Sequence, residues 1–525
     1  VNRLIENFLF MEVRTNNNKQ IAKNLFFNGS TFVINFIISF FFTPYLIRTV
    51  GKEAYSFFPL VNNIIGYSSI LTTAVGSMAG RFITMRIYKG DEEGANVYLN
   101  SMWVTNLLLS ALFTISSIFC VIYIDDILTI PANLLDDVRW LFGLGLFSLV
   151  LGLLTGYLGI ATYVRNRVDL ESSRTLICNI IRICSIILLF WLFKPSIVYM
   201  SISAVISGLV LLVFNYNFKK KLLPELTIAP RKYFSWSKVK ELASSGIWNS
   251  VNQLSNMLLY QLDLLITNIF ISAAVTGDYA IAKTAPNLIL SLLAMLSGTF
   301  TALFNILYAK GQMDQVVKEI RKSMIVVGML IGLPIGFLCV YSDVFYSLWV
   351  PGEDAKMLQC MTIITILPMI LGGSINPIFG IFSVTNKLRI PSLVVLCAGV
   401  LQTIVVFILL KTTNWGIWVI VGTSAIQGLI RNSLFTPSYG AICLGKKWST
   451  FFPTMFRGIA GVLVVIAIGL LYRNIFNVNS WISFLLSGVV VCLLSLIANS
   501  FFMLKQSERG YLIKTIKNKV PWLRD

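Results

Sequence analysis

The chain has 525 residues, of which 56% are hydrophobic and only 12% charged. Soluble domains carry about 25% charged residues, so this composition excludes one and marks an all-α polytopic membrane protein. The net charge of +19 is then expected in cytoplasmic loops beside anionic lipid rather than on nucleic acid.

In chain order, the sequence opens with Val1 and has Met11 downstream. The first ten residues are therefore expected to reflect an alternative start, and no cleavable signal peptide is evident. Hydropathy predicts about fourteen spans: 22–47, 56–83, 97–124, 138–163, 172–193, 196–218, 245–271, 278–308, 319–345, 357–384, 388–411, 414–443, 453–473 and 480–504. Several exceed 25 residues, which implies tilt or extension beyond the bilayer. With the N-terminus inside, cytoplasmic segments would hold 30 Lys and Arg and the opposite side 7. That bias predicts that both termini are cytoplasmic.

The spans group as two pseudo-symmetric six-helix lobes plus two C-terminal helices. The expected divisions are a first lobe at 1–218, a cytoplasmic linker at 219–244, a second lobe at 245–443, helices 13 and 14 at 444–504 and a tail at 505–525. The linker carries Lys219-Lys220-Lys221, Pro224 and Pro230, and reads as an anchor to anionic lipid with a short interfacial helix near Trp236–Ala243. In the tail, Leu512, Ile516 and Val520 recur at i, i+4, i+8 among bases. This predicts an amphipathic helix on the inner leaflet, a solvated tail being the alternative.

The lobes echo one another. Val275-Thr276-Gly277-Asp278-Tyr279 follows Val50-Gly51-Lys52-Glu53-Ala54-Tyr55 by roughly 224 residues, and predicts a short break at Ala273–Asp278. Tyr88-Lys89-Gly90-Asp91 is matched by Ala309-Lys310-Gly311-Gln312. Pro59 and Pro286 follow the two tyrosines and predict bend points.

Charges inside spans are costly and so informative. One acid, Asp263, stands against five bases: Arg81, Arg182, Lys283, Arg431 and Arg457. Arg81 and Arg457 lie near cytoplasmic ends, where snorkelling accounts for them. The small residues Gly76-Ser77-Met78-Ala79-Gly80 before Arg81 instead favour a cavity. Arg182 and Arg431 lie deep, with no acid in their own spans, and are expected to meet water, a carbonyl or an anionic ligand. Lys283 either faces an aqueous path or pairs with Asp263. Such a cationic lumen would draw anions, and guanidinium matches phosphate oxygens.

The absences narrow the chemistry further. There is no histidine, and the eight cysteines form no CxxC and lie in apolar runs. They read as small apolar residues, and neither a metal nor a cofactor is expected. No P-loop is present. Asp125-Asp126 and Asp136-Asp137 read as solvated outer loop, so no enzyme is expected.

The run Pro44-Tyr45-Leu46-Ile47-Arg48-Thr49-Val50-Gly51-Lys52-Glu53-Ala54-Tyr55 resembles the first-span ending of Wzx-type polysaccharide transporters. These form a branch of the multidrug/oligosaccharidyl-lipid/polysaccharide exporter superfamily. Arg48, Gly51 and Tyr55 fall on its motif, and Ser56 stands where that family usually has Gly. Asp263, then Gly277 and Tyr279, look like the matching second-half signature. The resemblance implies two six-helix lobes around a central lumen near Arg81, Asp263 and Lys283. It also implies a bacterial cell-membrane flippase for undecaprenyl-diphosphate-linked oligosaccharide units of capsule, exopolysaccharide or O-antigen-type polymers. The implied partners are that substrate, membrane lipids, and polymerase and chain-length proteins of the pathway. A cation-coupled multidrug antiporter would need more intramembrane acids than Asp263, and a polymerase larger outer loops. A flippase for the peptidoglycan lipid precursor stays open.

Overall fold

The computed structural model describes residues 40–165 and 167–504. The first ten residues and the predicted tail helix lie outside them. The described chain is helical, with no strand, in two compact units, Val1–Gly277 and Asp278–Asp525.

Among the described residues, the first unit opens with a helix over 40–50 (α1). Gly51, at φ 88°, turns the chain in a region that L side chains rarely adopt. α2 (Lys52–Tyr88) then runs unbroken through Pro59 for 37 residues. Gly90, at φ 75°, turns the chain again. Asp91 caps α3 (Glu92–Ile122) by accepting from the Gly94 N–H at 2.7 Å. That bond, with the Arg86 guanidinium also 2.7 Å away, holds the Asp91 carboxyl below its ordinary range. There follow α4 (Ile124–Ile127), α5 (Leu135–Gly156), α6 (Ile160–Val164), α7 (Val168–Leu192), α8 (Tyr199–Leu222), α9 (Pro230–Tyr233), α10 (Trp236–Tyr260) and α11 (Leu262–Phe270). The core joins Val75, Ala79 and Ile83 of α2 to Tyr98 and Leu99 of α3, Tyr157 after α5, and Leu242 of α10.

Two asparagines clip the segment after α8 to α3. Asn96 accepts from the Thr227 N–H at 2.7 Å, and Asn100 accepts from the Ala229 N–H at 2.8 Å while donating to the Thr227 carbonyl at 2.9 Å. Backbone groups without a helical partner are thereby satisfied. The segment is therefore an ordered strap, and the helix starting at Trp236 continues as α10 instead of stopping near Ala243.

α12 (Ala273–Ala309) also has 37 residues, and the unit division falls in its first turns. The expected break at Ala273–Asp278 is displaced to 271–272. The Ser272 carbonyl accepts from the Thr276 N–H at 3.1 Å, and its hydroxyl accepts from the Val275 N–H at 3.2 Å. These bonds start the helix at once.

The second unit continues with α13 (Met313–Trp349), α14 (Ala355–Ile375), α15 (Phe379–Val384), α16 (Arg389–Thr412), α17 (Ile417–Ile430), a π-helical segment Arg431–Phe435, α18 (Thr436–Cys443), α19 (Phe452–Ile475) and α20 (Trp481–Met503). α13 is its axis and packs on α14, α19 and α20. Its most apolar stretch is 67% buried, whereas that of α3 is 11% buried. An apolar helix left uncovered by protein needs hydrocarbon around it. Small residues let the helices close: a Cβ on Gly336 would lie 2.6 Å from the Val465 side chain. Arg473 of α19 grips Asp343 of α13 with two nitrogens, at 2.9 and 2.5 Å.

Among the described residues, ten helices are long and apolar enough to cross a membrane. This establishes an all-α polytopic membrane protein but does not by itself give the expected fourteen. α10 is 25 residues long but rich in Ser and Asn, and is not among the ten.

Candidate functional site

The intramembrane charges divide between the units. Arg81, Arg182 and Asp263 belong to the first, and Lys283, Arg431 and Arg457 to the second.

In the first unit Asp263 lies in the opening turn of α11, 7% exposed. It sits there because the helix breaks at Gln261. The Gln261 carbonyl accepts from the Asn63 amide and the Tyr67 hydroxyl of α2, each at 3.1 Å. Broken helices in membranes place backbone polar groups where they can be bonded or can line a polar site. The seam between α2 and α10 continues through Ser250, which donates to the Ile70 carbonyl at 2.6 Å, and Asn249, which donates to Ser77 at 3.1 Å. At Gly246 the two helices nearly touch: a Cβ there would lie 1.9 Å from the Ala74 carbonyl oxygen. Arg81, further along α2, is exposed.

Arg182 occupies a cavity of about 220 Å³ formed by α1, α2, α7 and the start of α8. Its guanidinium carbon is 5.9 Å from the Phe58 ring centroid, within cation–π range. Asn179, one helical turn earlier on α7, lines the same cavity, as does Tyr55 of the motif. Arg48 is exposed. Gly277 is helical rather than a turn residue. A Cβ there would lie 2.6 Å from the Lys52 carbonyl oxygen, so this glycine serves close approach of two chain segments.

In the second unit Lys283 is 8% exposed, and its ammonium stands 5.2 Å from the ring of Tyr279, one turn earlier. The backbone beside it is fixed. The Ala282 carbonyl accepts from the Tyr346 and Thr362 hydroxyls, each at 3.1 Å, and those hydroxyls bond to one another at 2.7 Å. Arg431 opens the π-helical segment, 6.0 Å from the Phe379 ring centroid, with its Nε donating to Asn432 at 3.3 Å. Asn432 in turn donates to the Pro368 carbonyl at 3.0 Å. A π-bulge of this kind re-aims the side chains within it.

One buried base was hidden in the sequence. Arg174 stands at the cytoplasmic edge of the predicted span 172–193 and is counted with the loop bases, yet it is 9% exposed and donates to the Asn215 side chain, with Glu171 at 3.9 Å. The Glu171–Arg174 spacing of i, i+3 inside a helix was its only signal. Among the described residues no cluster of acids, cysteines or histidines could hold a metal ion.

Residues 21–306, more than half of the chain, match the family described as "Polysaccharide biosynthesis protein". The chain belongs to that family. It is 27% identical over 490 residues to the "Uncharacterized membrane protein EpsK" of Bacillus subtilis (strain 168), covering 93% of this chain and 97% of that protein. Among solved structures it is similar to "Lipid II flippase MurJ, inward closed conformation", with a TM-score of 0.66 and 13% identity over 89% of this chain and 97% of that one. It is also similar to an inward-facing multidrug resistance MATE family transporter of the MOP superfamily, with a TM-score of 0.62 and 13% identity over 80% and 94%. This member of the polysaccharide biosynthesis family therefore has the fold of MOP-superfamily transporters, as its first-span motif led one to expect.

Proposed function

We propose that the protein is a flippase. It carries undecaprenyl-diphosphate-linked oligosaccharide units from the inner to the outer leaflet for capsule, exopolysaccharide or O-antigen-type polymer synthesis. Membership of the polysaccharide biosynthesis family on a transporter fold is the observation that carries this reading. The excess of intramembrane bases is its chemical support.

The translocation path uses Arg81, Arg182, Lys283 and Arg431 to attract the diphosphate, while the polyprenyl tail stays in lipid. An inside-negative potential favours outward movement of negative charge by ~2.3 kcal/mol per charge per 100 mV. Asp263 carries a coupling proton or cation during the return step. The chain sits in a bacterial cell membrane with both termini in the cytoplasm, where the basic strap meets anionic headgroups. The two lobes alternate access by rocking. Polymerase and chain-length proteins of the pathway are its functional neighbours.

Depletion of the protein tests this reading. The expected outcome is accumulation of an intact lipid-linked repeat unit on the cytoplasmic leaflet with loss of polymer. Unchanged polymer, with sensitivity to toxic cations instead, would transfer the protein to the drug antiporters.

A further inference from the structure

From Leu242 to Tyr260, α10 carries no charged residue, yet it is rich in carboxamides and hydroxyls. Ser245, Asn249, Asn252 and Asn256 recur at i, i+4, i+7 and i+11, so they share one face of the helix. Ser245 and Asn252 are exposed, and Asn249 and Asn256 are half-buried. Two other serines point their hydroxyls to backbone instead: Ser250 donates to the Ile70 carbonyl and Ser255 to the Val251 carbonyl, each at 2.6 Å. The stripe extends about 16 Å along the helix, several sugar rings in length.

This face falls within the predicted span 245–271, where carboxamides are costly unless they meet a polar partner. Asn249 shows the kind of pairing, since its amide donates to the Ser77 hydroxyl of α2 at 3.1 Å. Arg81 follows Ser77 by one turn of α2 and is exposed.

The chemistry of the stripe selects its ligand. A carboxamide offers two donors and an acceptor, and a hydroxyl offers one donor and two acceptor lone pairs. Sugar hydroxyls also donate and accept at once, so they match both. A cation gains little here. The flanking acids are Glu241, bonded to Lys238 at 2.7 Å and to Tyr98 at 2.9 Å, and Asp263, beyond the break at Gln261. An apolar molecule would leave the amides unsatisfied. The intramembrane bases suit a diphosphate and carry nothing that reads a sugar ring.

We propose that this face of α10 is a recognition track for the uncharged sugar hydroxyls of the transported glycan, held by Ser245, Asn249, Asn252 and Asn256. A diphosphate drawn to Arg81 leaves its sugars beside the track. The glycan as occupant rests on the flippase reading; the hydroxyl-matching chemistry of the stripe does not.

The test uses the full-length protein purified in detergent and measures equilibrium binding of two lipids. One is undecaprenyl-diphosphate-linked oligosaccharide isolated from the membranes of the native cells. The other is undecaprenyl diphosphate without sugar. Wild type is expected to bind the glycan-bearing lipid about tenfold more tightly or better. N252L/N256L should lose that preference while binding the sugar-free lipid as the wild type does. N474A, exposed near the end of α19, should keep the preference. A wild type without preference, or a double variant that retains it, overturns the track. Equal weakening towards both lipids in the double variant also overturns it, because the stripe then serves the fold or the diphosphate. Should the double variant fail to fold, S245A/N252A replaces it and the same outcomes decide. Transfer in vesicles is a separate measurement. Preference without transfer would sink the flippase and leave the track, and transfer without preference would do the reverse.

Discussion

Asn100 is 1% exposed, and both ends of its amide bond to backbone after α8. Removing it leaves the Ala229 N–H and the Thr227 carbonyl without that partner. N100A should therefore lower stability by about 1–3 kcal/mol, read as a drop in the thermal midpoint of the purified protein. An unchanged midpoint would show that water replaces the clip. The sequence gives no hint of this role, because the partners come from a segment some 130 residues away. The buried charges were more legible. Asp263 and Lys283 each interrupt a long apolar run, and both are buried. Arg174 escaped notice because it stands near a helix end, where bases are ordinarily solvated. That Thr43 lines the same cavity as Arg182 was not legible, since the two lie far apart in the chain.

Helices repeat across the units more faithfully than residues do. α2 and α12 are each 37 residues long, and each is followed by a glycine at positive φ, Gly90 and Gly311. Those signals were readable because only glycine adopts that backbone cheaply. The paired glycines earlier in the motif diverge: Gly51 turns the chain, whereas Gly277 admits the Lys52 carbonyl. Position in a repeat thus did not predict the physical role. Helices continue through Pro59 and Pro286, whereas α-helical geometry gives way to a 3-10 turn at Pro377 and to the π-helical segment just before Pro437. Packing of α2 on α10 depends on a missing side chain. G246A should destabilise the protein by about 1–3 kcal/mol or more, because backbone stands in the way. G76A, on α2 and with nothing within 4 Å of its added carbon, should be neutral or stabilising by up to about 1 kcal/mol. Thermal midpoints of the two variants check the contrast, and equal effects would refute it.

At the scale of the whole molecule, composition alone gave the class, because no soluble fold accommodates so little charge. The polytopic helical architecture and the family followed from hydropathy and from one twelve-residue motif. The first unit runs to Gly277 and takes in α10 and α11, since their partners lie on α2 far back in the chain. On the proposed function, the protein moves a lipid-linked anionic glycan along a path in which Lys283 holds the diphosphate. The most direct measurement is transbilayer transfer of undecaprenyl-diphosphate-linked glycan in vesicles reconstituted with equal amounts of wild type or K283A. Wild type should bring the glycan to the opposite leaflet, and K283A should be slower by about tenfold or more, as loss of a charged contact implies. Transfer by K283A at the wild-type rate would remove Lys283 from the path, and no transfer by the wild type would contradict the claim itself.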